Sequence, residues 1–183
     1  VKKNDNQSKW EIICENTIHK IPKELWNECH EENGAFDWDY LAFLESVFQN
    51  NIDQEHNWSF HYYLIKDQSK PVIATFFTNC IIKDDMLSSE FVSKEVEEKR
   101  KTDKYYLTSK TFLMGSLLSN GQHLFIDKTH SKWKDAFMNL LDQVWKDQDK
   151  QDATVLFLRD FDKADMEISE FLIDRGFIKV EMP

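Results

Sequence analysis

The segment "GQHLFIDKTHSKWKDAFMNLL", which begins at Gly121, places cationic and hydroxyl side chains between a short apolar alternation and a helix-patterned stretch. Lys128, Ser131, Lys132 and Lys134 lie in this polar turn or at the start of the helix. Because a helix N-terminus favours negative charge, such a junction is a candidate binding site for a phosphate-bearing ligand. The alternative is a strand joined to a helix, with lysines in solvent and Trp133 in the core.

Other candidate chemical groups are sparse. The three cysteines are far apart and outside any CxxC pair, which predicts packing residues or inert thiols. His123 and His130 flank the apolar stretch, and we interpret them either as polar lining or as surface or satisfied histidines. No G-x-S-x-G elbow, Walker loop, dinucleotide fingerprint or H-E-x-x-H motif occurs. Hydrolase, NTPase, Rossmann and zinc-protease interpretations therefore have no motif support.

Composition indicates a globular protein. The 183 residues are 41% hydrophobic and 14% aromatic, enough for one sizeable core. A formal net charge of -10 repels polyanions and argues against nucleic acid as a partner, whereas small phosphorylated ligands remain open. No run approaches the roughly 18 apolar residues of a membrane span, and no signal peptide opens the sequence. We expect one domain, residues 1–183, in the cytoplasm, with no metal.

The first half of the chain predicts a strand, two helices and a hairpin. "WEIICENTI" is strand-like, and "IPKELWNECHEEN" and "DWDYLAFLESVFQN" have helical periodicity, the latter with Asp37 as a plausible N-cap. "FHYYLI" and "VIATFFTNCII" flank a polar turn and predict a β-hairpin. Residues 83–110 are rich in charge and predict an insertion, either a substrate lid or a solvated helix, with a helix from Phe91 to Arg100.

The second half predicts a further hairpin and two helices. Asn120-Gly121 suits a type I′ turn between "TFLMGSLL" and "QHLFID". The next helix buries residues spaced at i, i+3, i+4, i+7, i+8 and i+11 from Trp133. "ATVLFLRDF" predicts a strand buried on both faces, and the helix after it is expected to stop at Gly176, before a last strand in "IKVEMP".

This order of elements resembles the GNAT fold of acyl-CoA N-acyltransferases over most of the chain. "LFIDKTHSKWKDAFMNLL" is similar to the family's fourth strand, phosphate loop and third helix. "EISEFLIDRGFIKVE" is similar to its late helix and strand, and "YYLIKDQSKPVIATFF" to its second and third strands. The resemblance implies an α/β (α+β) fold with a mixed, mainly antiparallel sheet flanked by helices. It points to the divergent branch that includes Fem-type and BioF-associated acyltransferases.

The resemblance also implies coenzyme A as co-substrate. Leu124, Phe125 and Ile126 would line the pantetheine arm. In the family, loop glycines let backbone N–H groups approach the pyrophosphate, but residues 131–136 here contain no glycine. Ser131 is instead expected to cap the helix, and Ser131, Lys132 and Lys134 to meet phosphate through their side chains.

The catalytic groups implied by the resemblance are carboxylates. The family's usual general acid, a tyrosine on the late helix, is replaced by Phe171-Leu172. A general base would come from Asp160, which closes "VLFLRD", or from Asp127. Arg159 would bind a substrate carboxylate or pair with Asp160, and Tyr105 would contact substrate from the insertion.

Two functions remain open. The first is acyl transfer from acyl-CoA to a small-molecule amine. The second is a non-catalytic GNAT-like module that binds a ligand or docks on a second domain of a longer chain, from which this domain would be cut. A Fem-type transferase using aminoacyl-tRNA is a third option that the acidic charge weakens.

Overall fold

The computed structural model describes residues 10–30, 35–86 and 88–180, in which helices flank a six-stranded mixed sheet. In chain order the strands are β1 (Glu11–Glu15), β2 (Ser59–Asp67), β3 (Lys70–Lys83), β4 (Thr108–Met114), β5 (Leu124–Ile126) and β6 (Val155–Phe157). The helices are α1 (Lys23–His30), α2 (Trp38–Phe48), α3 (Glu90–Arg100), α4 (Trp133–Lys150) and α5 (Met166–Ile173). The chain is therefore a mixed α/β protein, as the sequence predicts.

The β2–β3 hairpin forms the centre of the sheet, and β1 pairs with the outer edge of β2. The two-residue turn between β2 and β3 places Gln68 and Ser69 at φ 47° and 74°, as a type I′ turn requires. Alternate residues face opposite sides, because Tyr63 packs towards α4 and α5 while Tyr62 packs towards α1 and α2. The sheet thus separates two hydrophobic cores, and the predicted hairpin is confirmed.

The second predicted hairpin is wrong. Both β4 and β5 run antiparallel to β3 and pair along the same edge of it, β4 opposite Phe77 to Lys83 and β5 opposite Ile73 to Thr75. The 14-residue length of β3 leaves room for both. Residues 115–123 form an excursion between them, and the N–H of Gly115 makes a last 2.8 Å hydrogen bond to the Phe76 carbonyl.

Strand β6 is shorter and more exposed than predicted. It pairs in parallel with β4 through Val155, Leu156 and Phe157, and Val155 is 37% exposed. The expectation of a strand buried on both faces is therefore wrong, because β6 has only β4 as a strand neighbour in the described part of the chain. Beyond Phe157 the chain leaves the sheet, and residues 159–162 line a small cavity together with His123 and Leu124.

Helices α4 and α5 cover one face of the sheet. The helical periodicity predicted for α4 is confirmed, with Trp133, Phe137 and Leu141 all buried. Helix α5 ends in a Schellman motif, in which the N–H groups of Gly176 and Phe177 donate to the carbonyls of Ile173 and Leu172. Gly176 adopts φ +87°, as the predicted cap requires. No strand follows over residues 177–180, and residues 181–183 lie outside the described ranges.

Helix α3 lies in the connection between β3 and β4, as predicted for residues 83–110. Arg100 fixes it there through a 2.6 Å ion pair with Asp85 and through hydrogen bonds to the carbonyls of Tyr106 and Leu107. Among the helices of the described residues, none has the length and apolar character that crossing a membrane demands.

Candidate functional site

Polar side chains converge at a small cavity beside Leu124, the first residue of β5. His123, the last residue of the 115–123 excursion, is fully buried there. Gly115, which opens the excursion, has φ +81°, and a Cβ at this position would lie 2.1 Å from Cδ2 of the His123 ring. Only glycine permits both the left-handed backbone and this approach. Gly115 and His123 therefore close the excursion against each other.

The two ring nitrogens of His123 differ in their partners. Nε2 lies 2.9 Å from the Ser119 hydroxyl, whereas Nδ1 lies 3.5 Å from Oδ2 of Asp160 and has no hydrogen-bond partner among the described residues. Burial, and to a smaller extent the charge of Arg159, lower the pKa of His123 to about 4. The ring is therefore uncharged at neutral pH.

Arg159 holds the excursion in place. Its guanidinium donates to the carbonyls of Ser116 and Ser119 at 3.3 and 3.2 Å and to Oδ1 of Asn120 at 2.9 Å. It also pairs with Asp160 at 2.9 Å. Of the two roles considered for Arg159, the structure shows the pairing with Asp160. Its remaining donors contact the backbone and Asn120, and so stabilise the loop that carries His123.

Asp160 faces a small cavity at this point. Its backbone is left-handed at φ +61°, a conformation that Asp tolerates better than most side chains, and its side chain is 30% exposed. The cavity holds about 20 Å³ and is lined by Asp160, His123, Asp162 and Asp165, with Met114 and Leu124 on the apolar side. A space of this size accommodates one water-sized group.

The predicted cofactor strand offers a backbone edge. Leu124 and Ile126 pack towards α4, and Phe125 packs towards α1 and α2. One edge of β5 pairs with β3, and the other has no strand partner within the described residues. Since the three side chains are largely committed to the two cores, any contact of β5 with a ligand would run through its backbone.

The start of α4 differs from the expected phosphate loop. Lys132 is the N-cap and provides no side-chain cap, so the expected cap by the exposed Ser131 is wrong. Lys134 pairs with Glu167 on α5 at 2.7 Å, and Lys128 contacts Asp165. Trp133 is buried between the helices, so it belongs to the core.

Asp127 lies apart from Asp160. It follows β5, and its Oδ1 accepts hydrogen bonds from the backbone N–H and hydroxyl of Thr129, which lower the pKa of Asp127. The length of β5 separates it from His123 by about 13 Å of extended chain. The two predicted carboxylates do not form one pair.

Tyr105 lies at the other end of β4 from Arg159. It belongs to the β3–β4 connection, whereas Arg159 contacts Ser116 just beyond the end of β4. A strand of this length spans about 20 Å. The structure therefore does not bring Tyr105 to the residues around His123.

From the sequence, His123 was open as polar lining or as a surface or satisfied histidine, and Ser119 was not considered. The sequence signal at His123 is weak, since this residue precedes an apolar strand and only Gly115, eight positions earlier, suggests a close approach. The cysteines add no activated nucleophile, because burial raises the pKa of Cys29 and of Cys80 to about 12 and that of the more exposed Cys14 to about 11. In the described part of the chain, no group of three His, Cys, Asp or Glu side chains is placed to hold a metal ion.

No family model and no curated protein matches the chain. Among solved structures, the chain is similar to one described as a possible acetyltransferase from Clostridium difficile 630. The two are 13% identical, with 95% of this chain and 93% of that chain covered and a TM-score of 0.46.

Proposed function

We propose that this protein is an acyltransferase that moves an acyl group from acyl-CoA to an amine. The observation that carries the proposal is the edge of β5 that has no strand partner within the described residues, with His123 and Asp160 at the cavity beside its first residue, Leu124. An extended pantetheine arm has amide groups that can hydrogen-bond to a strand edge, as an added strand does. Such an arm along β5 would place its thioester near the cavity.

The reaction needs a nucleophilic amine and stabilisation of one oxyanion. The amine nitrogen attacks the thioester carbonyl carbon, the C–S bond then breaks, and the thiolate leaves as the amide forms. A main-chain N–H at the strand edge would stabilise the oxyanion. Asp160 is the carboxylate beside this point, and we propose that it acts on the acceptor. Asp127, about 13 Å along the chain, would stay outside the reacting centre.

The start of α4 is less well suited to binding the phosphates of CoA than β5 is to binding the pantetheine arm of CoA. Lys132 and Lys134 are the cations at the start of α4, and Lys134 would have to exchange Glu167 for a phosphate. Asp135 in the first turn of α4 opposes an anion. We therefore expect CoA to bind mainly through the pantetheine, with a modest contribution from the two lysines.

Calorimetric titration tests this proposal. We expect saturable binding of CoA, acetyl-CoA and a long-chain acyl-CoA, and binding of an S-acyl-pantetheine only modestly weaker than that of acetyl-CoA. The double variant Lys132→Ala/Lys134→Ala should weaken CoA but not the pantetheine thioester. Lys94→Ala/Lys101→Ala, which removes the same charge from α3, is the matched control. Absence of saturable binding by the intact chain would reject the proposal.

The paired lysines and buried Trp133 favour a second candidate, a non-catalytic GNAT-like module that docks on another domain of a longer chain. Such a module would bind none of these thioesters and would show no transfer to any amine. Binding without turnover would separate ligand recognition from catalysis.

A further inference from the structure

An unpaired buried nitrogen marks the cavity as a binding site. Buried polar groups in folded proteins are nearly always hydrogen-bonded. His123 is fully buried, yet its Nδ1 has no partner among the described residues. Its Nε2 is held by Ser119, which does not line the cavity, so Nδ1 is the nitrogen on the cavity side. The missing partner of Nδ1 is therefore a group small enough for about 20 Å³.

The charges around the cavity select the sign of this group. Asp160, Asp162, Asp165 and Arg159 line the cavity. Arg159 pairs with Asp160, and Lys128, which lies outside the lining, pairs with Asp165, so that an excess of one negative charge remains. Oδ2 of Asp160 can only accept hydrogen bonds when ionised, and unprotonated Nδ1 also accepts. A small cation with several N–H donors satisfies both acceptors, whereas an anion satisfies neither.

We propose that this cavity binds the head group of a primary ammonium ligand, which donates hydrogen bonds to His123 Nδ1 and Asp160 Oδ2. A nitrogen 2.8 Å from both atoms is compatible with their 3.5 Å separation. The identification of this ligand as the acyl acceptor rests on the proposed function, but the binding site itself does not. The volume excludes a quaternary ammonium group, whose methyl groups also replace every N–H donor.

A proton must leave the ammonium group before the amine can react. A ring whose pKa is lowered to about 4 is too weak a base to hold that proton, so His123 only accepts a hydrogen bond, and the proton passes to solvent past Asp160, whose side chain is 30% exposed. The neutral amine attacks the thioester carbon, the C–S bond breaks, and a second proton passes from the nitrogen to the thiolate, which leaves as a thiol. The net reaction releases one proton, as amide formation from an ammonium ion and a thioester requires.

Ser119 sets the His123 tautomer that leaves Nδ1 free to accept a hydrogen bond from the ligand. With Nδ1 free to accept, the ring proton is on Nε2 and is donated to the Ser119 hydroxyl oxygen at 2.9 Å. That hydroxyl in turn donates to the Ser116 carbonyl at 3.3 Å. Ser119 is thus a positioning residue, since at 1% exposure its oxygen does not reach substrate.

The test follows the ¹⁵N signals of the His123 ring while the full chain is titrated with n-butylammonium chloride. We expect a saturable shift at Nδ1, with Nε2 carrying the proton, and no shift with tetramethylammonium chloride at the same ionic strength. Asp160→Asn should weaken butylammonium binding at least tenfold, because Asn keeps the left-handed backbone but loses the charge. Asp174→Asn, an equal change of charge outside the cavity, should bind as the unchanged protein does.

Three results would overturn the inference: no saturable shift, equal shifts with both ammonium ions, or Asp160→Asn binding as tightly as Asp174→Asn. The unfolding midpoint of Asp160→Asn verifies that this variant is folded. In Ser119→Ala, we expect the ¹⁵N signals of His123 to show loss of the Nε2-protonated tautomer, which is an independent readout. If butylammonium binds but no acyl-CoA does, the acyl transfer fails and the amine site stands. If acyl transfer occurs while His123 does not respond, the amine site fails alone.

Discussion

The cavity at His123 and the start of α4 are two polar regions that differ in how far their groups are satisfied. At the start of α4, Lys128 and Lys134 pair with carboxylates of the chain itself, and Trp133 is buried. At the cavity, a buried histidine nitrogen has no partner in the described part of the chain, and Asp160 has a left-handed backbone. Stability alone explains the first region. In the second region, the unpaired buried nitrogen and the left-handed backbone each cost free energy that no contact within the described residues offsets, which is typical of a binding site.

The largest expected effect is the pH dependence of stability. Burial lowers the pKa of both His30 and His123 to about 4. An unfolded histidine takes up a proton below about pH 6.5, whereas these two take one up only near pH 4. Stability should therefore be complete above pH 6.5 and fall between pH 6.5 and 4, by up to about 3 kcal/mol for each histidine. Urea unfolding across this range measures the loss.

His30→Phe separates the two histidines. Neither ring nitrogen of His30 has a hydrogen-bond partner in the described residues, and its ring lies 4.8 Å from that of Trp26. Phe should preserve this packing and remove up to about half of the pH dependence. The rest belongs to His123, whose pKa is lowered by burial and by Arg159 and raised by Asp160, and to His61, whose pKa burial also lowers. An unchanged pH profile in His30→Phe would contradict the assignment.

The second effect tests whether the start of α4 is core. Trp133 is 7% exposed, and its ring packs against Phe171 on α5 at 6.1 Å between centroids. Trp133→Ala should lower the free energy of unfolding by about 4 kcal/mol, and Trp133→Phe by clearly less. Equilibrium urea unfolding measures both. A loss below about 1 kcal/mol for the alanine variant would show that this region is not packed as core.

The third effect tests the close approach at the cavity. Gly115→Ala would place a methyl group 2.1 Å from the His123 ring at φ +81°, and we expect a loss of about 3 kcal/mol. Gly121→Ala is the matched control, because its φ is also positive but its nearest neighbour, Phe36, is 3.6 Å away. It should cost about 1 to 2 kcal/mol and leave the His123 signals unchanged. Equal losses in the two variants would reject the contact.

Local patterns predicted most elements but not the way they meet. Helix α4 and the β2–β3 hairpin follow from periodicity and turn chemistry within short windows of sequence. The β4–β5 hairpin failed because both strands pair with β3, which begins nearly forty positions before β4, and the Asn120-Gly121 dipeptide carries no signal of that pairing. Tertiary pairing overrode a good local turn.

The candidate site shows the same contrast between local sequence patterns, which can be read from the sequence, and tertiary contacts, which cannot. Asp160 was singled out because it closes an apolar strand, which is a local feature of the sequence, and its role stays a prediction. The alternatives for His123 stayed open, since its burial depends on Gly115 on one side and on Arg159, 36 positions later, on the other. The roles of Lys132, Lys134, Asp127 and Tyr105 stay predictions.

The smallest effect tests whether the start of α4 takes part in ligand binding at all. Glu167 competes with a phosphate for Lys134, since their side chains pair at 2.7 Å and both are about half exposed. Glu167→Gln should therefore change stability by less than about 1 kcal/mol but tighten CoA binding by about two- to fivefold. Glu98→Gln, which removes an equal charge beside Lys101 on α3, controls for the net charge of the protein. If both variants bind CoA equally, Lys134 meets no phosphate. The acyl donor would then be held by β5 and the cavity alone, and CoA would have no advantage over a pantetheine thioester.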